Sequence, residues 1–191
     1  EIQFFTSPEA IECYKEKAVT FDELQKIYET DKSISTMTKL VSKEALSCYK
    51  AGVPFTALKE SYEKDTDWQK GNFNYRLNRL SSPESLECFK LGITFATLEK
   101  LPYSIYGSQY SDTVKALASI DAKKCYDANY IQPEILAQVA DTSKITALTT
   151  PNAQTCYKDY GMTFDQLKKY KAAEIQFFTS PEAIECYKEK A

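Results

Sequence analysis

Residues 1–18 read EIQFFTSPEAIECYKEKA, and residues 174–191 repeat these 18 letters without a change. An identity of this length does not arise by chance. The chain therefore holds one period of 173 residues followed by the start of a second copy. This predicts a tandem array, in which modules stack in a row and each one shelters its neighbours from water.

A shorter pattern subdivides the period, because every cysteine is followed by an aromatic residue at intervals of 30 to 40 residues. The pairs are Cys13-Tyr14, Cys48-Tyr49, Cys88-Phe89, Cys125-Tyr126, Cys156-Tyr157 and Cys186-Tyr187. We divide the chain accordingly into repeat units 1–32, 33–72, 73–111, 112–143 and 144–173, with 174–191 as the start of the next copy.

A hydroxyl residue stands six positions before each cysteine and predicts a helix start. These residues are Ser7, Ser42, Ser82, Ser119, Thr150 and Ser180, and four are followed by proline. Ser or Thr accepts an unpaired N–H at the N-cap, and proline suits the first helical position. Two positions before each hydroxyl lies an apolar residue that we expect to pack against the new helix: Phe5, Leu40, Leu80, Leu117, Leu148 or Phe178.

The helix that carries each cysteine is expected to present it on one apolar face. In the first unit Ala10, Cys13 and Tyr14 follow the i, i+3, i+4 spacing of such a face. Residues suited to the left-handed conformation then predict the helix ends: Gly52, Gly92, Asn129 and Gly161.

A second helix should follow, since Thr20 with Glu23 and Thr163 with Gln166 have capping-box spacing. Each unit is therefore predicted to be a helix pair. Connectors such as 74–80 are able to add a third short helix.

Six thiols suggest disulfides, metal ligands, nucleophiles or core residues. Equivalent helices of stacked layers pack about 8–10 Å apart, whereas a disulfide needs Cα atoms about 4.4–6.8 Å apart. The chain has no histidine. This excludes the zinc-ligand sets that contain histidine and the base that usually activates a nucleophilic cysteine. We interpret the six Cys-aromatic pairs as the repeat core and leave cross-links between chains open. The sequence predicts no catalytic residue, no cofactor and no metal site.

Composition narrows the possible partners. The net charge is −3 and acids and bases are interspersed, which argues against a nucleic-acid partner, since phosphate binding needs clustered cations. No apolar run approaches the roughly 20 residues of a membrane span. Tyr103, Tyr106 and Tyr110, which lie outside the repeat pattern, are candidate partner-binding residues, together with Trp68.

The layout of short paired helices with small, aromatic and leucine positions resembles the helical-hairpin tandem-repeat proteins of the tetratricopeptide and Sel1-like class. The resemblance covers the whole chain but is one of architecture, because the tetratricopeptide signature and its fixed period are not met. It implies a non-enzymatic surface for binding or scaffolding.

We expect an all-α solenoid that is a segment of a longer array, building a filament, fibre or scaffold and not acting as an enzyme. Its expected partners are other copies of itself, end to end or side by side, and unidentified proteins at regular intervals. Reduced cysteines favour a cytoplasmic or cytoskeletal location. The alternative is a surface adhesin or secreted effector whose solenoid groove binds a peptide or protein.

Overall fold

The computed structural model describes residues 2–64, 72–102 and 108–189. Within these ranges the chain is all-helical, with 17 α-helices and no strand. The helices recur along the chain in a fixed order of three kinds. We call them the leading helix, which ends just before the hydroxyl cap, the cysteine helix, which carries the cysteine, and the trailing helix, which follows it.

The leading helices are α1 (Ile2–Phe5), α4 (Ile34–Leu40), α7 (Phe73–Leu80), α10 (Ser108–Leu117), α13 (Thr142–Thr149) and α16 (Ala172–Phe178). The cysteine helices are α2 (Pro8–Lys15), α5 (Lys43–Lys50), α8 (Pro83–Lys90), α11 (Ile120–Asp127), α14 (Pro151–Asp159) and α17 (Pro181–Lys188). The trailing helices are α3 (Phe21–Asp31), α6 (Phe55–Glu63), α9 (Phe95–Glu99), α12 (Pro133–Ala137) and α15 (Phe164–Leu167).

The predicted starts of the cysteine helices are confirmed. In all six, the hydroxyl oxygen of the predicted cap accepts the backbone N–H of the residue three positions later, at 3.1–3.3 Å. Both predicted capping boxes are also present, at Thr20 with Glu23 and at Thr163 with Gln166. Local side-chain chemistry thus fixes where these helices begin.

The predicted helix ends are confirmed as well. Gly52, Gly92, Gly161 and Asn129 all have positive φ, between 56° and 95°. In the first repeat unit Lys17 takes this position, with a φ of 55°. A lysine in this region is disfavoured because its Cβ approaches the following carbonyl oxygen.

The arrangement differs from the expected helix pairs, because a leading helix precedes every cysteine helix. A side chain caps the start of two leading helices: Ser33 accepts the N–H of Thr36 at 3.3 Å, and Asp141 accepts that of Lys144 at 2.8 Å. Each leading helix also contributes apolar side chains to the core, such as Leu40 in α4. The division points after residues 111 and 143 fall inside α10 and α13.

The chain forms two compact units, and each is described by itself. The first comprises Glu1–Lys90 and Thr94–Glu99. In it the cysteine helices α2, α5 and α8 contact one another in order, and α6 contacts α9. The second comprises Leu91–Ile93 and Lys100–Ala191. In it the leading helices α10, α13 and α16 contact one another in order, and α14 contacts α17.

Candidate interaction surfaces

Five of the six cysteine side chains lie in the core at 0% exposure: Cys13, Cys48, Cys88, Cys125 and Cys156. Cys186 is exposed, and none of the six is joined in a disulfide. Burial, with a contribution from Glu12, raises the pKa of Cys13 to about 11. Burial, with Glu44, raises the pKa of Cys48 to about 12. These thiols are therefore protonated at neutral pH, and a protonated thiol is a poor nucleophile.

A thiol reagent should distinguish these sites. In the native protein at neutral pH we expect a disulfide reagent such as DTNB to react quickly with one thiol, Cys186, and all six to react after denaturation. Peptide mapping identifies the site, because tryptic cleavage after Lys171 leaves Cys186 on a peptide that begins with Ala172. Rapid reaction of Cys48 or Cys125 in the folded protein would contradict their burial.

The aromatic residue that follows the cysteine has a role beyond packing. In four of the six Cys-aromatic pairs the phenol O–H donates to a backbone carbonyl nine positions earlier, at or next to the end of the leading helix. The pairs are Tyr49 to Leu40 (2.7 Å), Tyr126 to Leu117 (2.9 Å), Tyr157 to Leu148 (3.0 Å) and Tyr187 to Phe178 (3.0 Å). The last carbonyls of a helix have no partner within it, so this bond satisfies one of them and ties the two helices together.

The other two Cys-aromatic pairs lack this bond. Phe89 has no hydroxyl, and the carbonyl of Leu80 instead accepts the thiol of Cys48 with a sulfur–oxygen distance of 3.8 Å. The hydroxyl of Tyr14 is buried and has no hydrogen-bond partner among the described residues. Tyr14 and Tyr187 occupy the same position of identical 18-residue segments, so the difference arises from their surroundings.

A groove of about 550 Å³ lies between α3, α4 and α6 in the first unit. Apolar side chains of Leu40 and Phe55 contribute to its lining. Thr36 joins a partly buried chain of polar groups in this lining, since its hydroxyl donates to Asp31 Oδ2 and lies 3.0 Å from the hydroxyl of Tyr62.

Charged residues of both signs also line the groove: Glu23, Lys26, Lys59 and Glu63. Lys59 Nζ and Glu63 Oε1 are 2.7 Å apart. With apolar side chains beside charges of both signs, this lining is suited to holding an amphipathic segment. Peptide binding in a groove, the alternative function considered above, stays a prediction.

The two arginines of the chain meet at one residue, Glu99. Arg76 Nε lies 3.2 Å from Glu99 Oε1, and Arg79 donates from Nη2 to the backbone carbonyl of Glu99 at 3.2 Å. Ser61 also donates its hydroxyl to Glu99 Oε1. The cluster joins α6, α7 and α9 and is a structural tie between helices within the first unit.

The predicted partner-binding residues have different positions. Tyr110 lies in α10 and is 3% exposed, so it offers almost no surface to a partner. Trp68, Tyr103 and Tyr106 lie outside the described residues. The aromatic repeat-core positions are buried at Tyr49, Phe89 and Tyr157 and half-buried at Tyr14, Tyr126 and Tyr187.

The described parts of the chain hold neither a membrane-spanning helix nor a cluster of metal ligands. None of the helices there combines the length and the apolar character needed to cross a bilayer. In the same residues no three metal-ligating side chains of the His, Cys, Asp or Glu type come together.

The chain matches no protein-family model, no curated protein and no solved structure. The resemblance to helical-hairpin repeat proteins therefore stays a prediction from the sequence.

Proposed function

We propose that this chain is a structural tandem-repeat protein, a segment of an array that builds a filament, fibre or scaffold by stacking helical layers. The observation that supports the proposal is the recurrence of one module: hydroxyl-capped cysteine helix, left-handed helix end and tyrosine-to-carbonyl bond. Recurrence with an identical 18-residue start means that each period offers the same surface again. Such a chain binds its partners at regular intervals and with high avidity.

The proposal includes an α-solenoid arrangement, in which each layer covers the apolar face of the next. In support, the cysteine helices of the first unit and the leading helices of the second contact one another in chain order. The proposed role is non-enzymatic, because the described thiols with shifted pKa values are held protonated and the chain has no histidine to serve as a base. The proposed location is cytoplasmic or cytoskeletal, and the proposed partners are further copies and proteins that bind periodically.

Small-angle scattering tests the stacked arrangement. A compact chain of 191 residues has a radius of gyration of about 16 Å. Five layers at a spacing of roughly 10 Å make a rod roughly 50 Å long, whose radius of gyration is close to that of the compact chain. The deciding quantity is therefore the pair-distance distribution, which we expect to be asymmetric with a tail at long distances. The measurement is made on the monomer peak eluting from a sizing column, so that association does not raise the value. A symmetric pair-distance distribution, with the maximum dimension of a sphere of the same mass, would reject the stack.

A further inference from the structure

The groove between α3, α4 and α6 has a counterpart one layer further along the first unit, between α6, α7 and α9. Equivalent positions are counted back from the capping hydroxyl of the cysteine helix and forward from the phenylalanine that begins the trailing helix. Three pairs of residues are equivalent by this count: Thr36 and Arg76, Lys59 and Glu99, and Ile27 and Ser61. The two places therefore share their helices but differ in the side chains that face the space between them.

In the counterpart, an arginine of the leading helix reaches between the two trailing helices. Arg76 Nε lies 3.2 Å from Glu99 Oε1, and Arg76 Nη2 donates to the backbone carbonyl of Ser61 at 3.5 Å. The guanidinium carbon lies 5.7 Å from the centroid of the Phe73 ring. This layer thus holds an arginine beside an aromatic ring, with its guanidinium on a carboxylate.

The groove itself has a short side chain, Thr36, at the position of this arginine. The hydroxyl of Thr36 donates to Asp31 Oδ2 and lies 3.0 Å from that of Tyr62. A space of about 550 Å³ remains, which is within the range of volumes that hold ligands in proteins. Leu40 and Phe55 make part of its lining apolar. The groove therefore has room for side chains that come from outside the chain.

The charges around the groove favour a cation, since its lining holds three carboxylates and two ammonium groups. Lys59 Nζ is paired with Glu63 Oε1 at 2.7 Å, and Glu23 closes the capping box at the start of α3. Asp31 accepts the hydroxyl of Thr36. A carboxylate accepts more than one hydrogen bond, so Asp31 is able to hold a cationic ligand as well as Thr36.

We propose that this groove binds an arginine of a partner protein, presented on a short segment with apolar side chains beside it. The guanidinium binds the carboxylate of Asp31, as the planar geometry of the two groups favours, and the stem of the arginine lies over Phe55 and Tyr62. The partner supplies from outside what Arg76 supplies from within in the next layer. This inference rests on the proposed function, whose periodic partners it characterises: in the proposed array the groove recurs once in every period of 173 residues.

A variant that fills the groove from within gives the first test. Thr36→Arg combined with Lys59→Glu rebuilds there the pair formed by Arg76 and Glu99. A library of random peptides displayed on phage is depleted on this filled variant and then selected on the wild-type protein. We expect the selected peptides to share an arginine with one or two apolar neighbours. The absence of any enriched peptide, or a shared motif without arginine, would overturn the proposal.

The affinity of one selected peptide, labelled with a fluorophore and measured by anisotropy, tests the role of Asp31. Asp31→Asn should weaken binding by about tenfold or more, because the hydrogen bonds to the guanidinium lose their charge. Asp22→Asn is the matched control, since it makes the same change at an exposed position of α3 outside the groove, and it should leave the affinity unchanged. Equal affinities of the Asp31→Asn and wild-type proteins would show that this carboxylate does not bind the arginine.

A peptide with citrulline in place of its arginine tests the contact between the two groups, because citrulline keeps the shape and removes the charge. It should bind the wild-type protein about tenfold more weakly than the arginine peptide, with a much smaller difference for Asp31→Asn. Equal losses with both proteins would mean that the arginine binds elsewhere. Circular dichroism checks the fold of each variant, and the exposed Asp31→Asn substitution keeps the test decisive if the filled variant does not fold. The scattering measurement is made without peptide, so its result separates a failure of this inference from a failure of the proposed function.

Discussion

Replacing Phe73 by alanine is expected to lower the free energy of unfolding of the first unit by about 3–5 kcal/mol. Phe73 is 1% exposed at the start of α7. Its ring meets that of Tyr62 edge to face, with centroids 5.2 Å apart, and the guanidinium carbon of Arg76 lies 5.7 Å from its centroid. The substitution removes these contacts and leaves a cavity that packed neighbours fill only in part.

Tyr75→Ala in the same helix is the matched control for Phe73→Ala. Tyr75 is 55% exposed, so its removal should change the free energy of unfolding by less than about 1 kcal/mol. Urea unfolding followed by circular dichroism measures both variants. Equal effects of the two substitutions would show that α7 does not bury Phe73 against α6 in solution.

The positions of the cysteine helices follow from the sequence because their ends depend on local chemistry. The bond between a capping hydroxyl and the N–H three residues later depends only on residues within one helical turn, as between Ser42 and Ala45. The left-handed end at Gly52 is likewise a property of one residue. Such signals do not need the rest of the fold, and all of the predicted ones are present.

The leading helices were harder to predict because tertiary contacts stabilise them more than their own composition does. α4 carries Ser35, Thr36 and Thr38, and hydroxyl residues compete with a helix by bonding to nearby backbone. The helix is held by the burial of Met37 and Leu40. The sequence of a single repeat unit therefore does not require a leading helix. Packing against neighbouring helices stabilises one before every cysteine helix.

The tyrosine-to-carbonyl bond could not be predicted from the sequence, for a similar reason. Helical periodicity compares positions three and four apart, whereas this bond joins positions nine apart across the turn between two helices. The signal was present, since an apolar residue stands nine positions before every aromatic residue of the repeat core. Reading it as hydrogen bonding requires the geometry of the turn.

Sequence alone also cannot assign burial to the repeat core, as the two identical segments demonstrate. Cys13 is at 0% exposure, whereas Cys186 is exposed. The residues that differ are those around the segments and not those within them. The prediction that the cysteines form a core therefore applies only where a following layer covers the thiol.

Replacing Glu99 by alanine should lower the free energy of unfolding of the first unit by about 1.5–3 kcal/mol, the range for hydrogen bonds to charged groups. The carboxylate is 24% exposed and meets Arg76, which is 21% exposed, and it also accepts the hydroxyl of Ser61. Its removal leaves a largely covered guanidinium without its counter-charge. Glu99→Gln should recover part of the loss, because its amide oxygen still accepts from Ser61.

Glu63→Ala provides the comparison for Glu99→Ala within the same unit. Glu63 is 55% exposed and pairs with Lys59 one helical turn away, at 2.7 Å. An exposed pair of this kind contributes about 0.5 kcal/mol or less, although its distance is shorter than that of Arg76 to Glu99. Urea unfolding at low and high salt separates the two cases, since salt screens the exposed pair far more than the covered one. Equal losses for Glu63→Ala and Glu99→Ala would mean that the arginine cluster is solvated and does not tie α7 to α9.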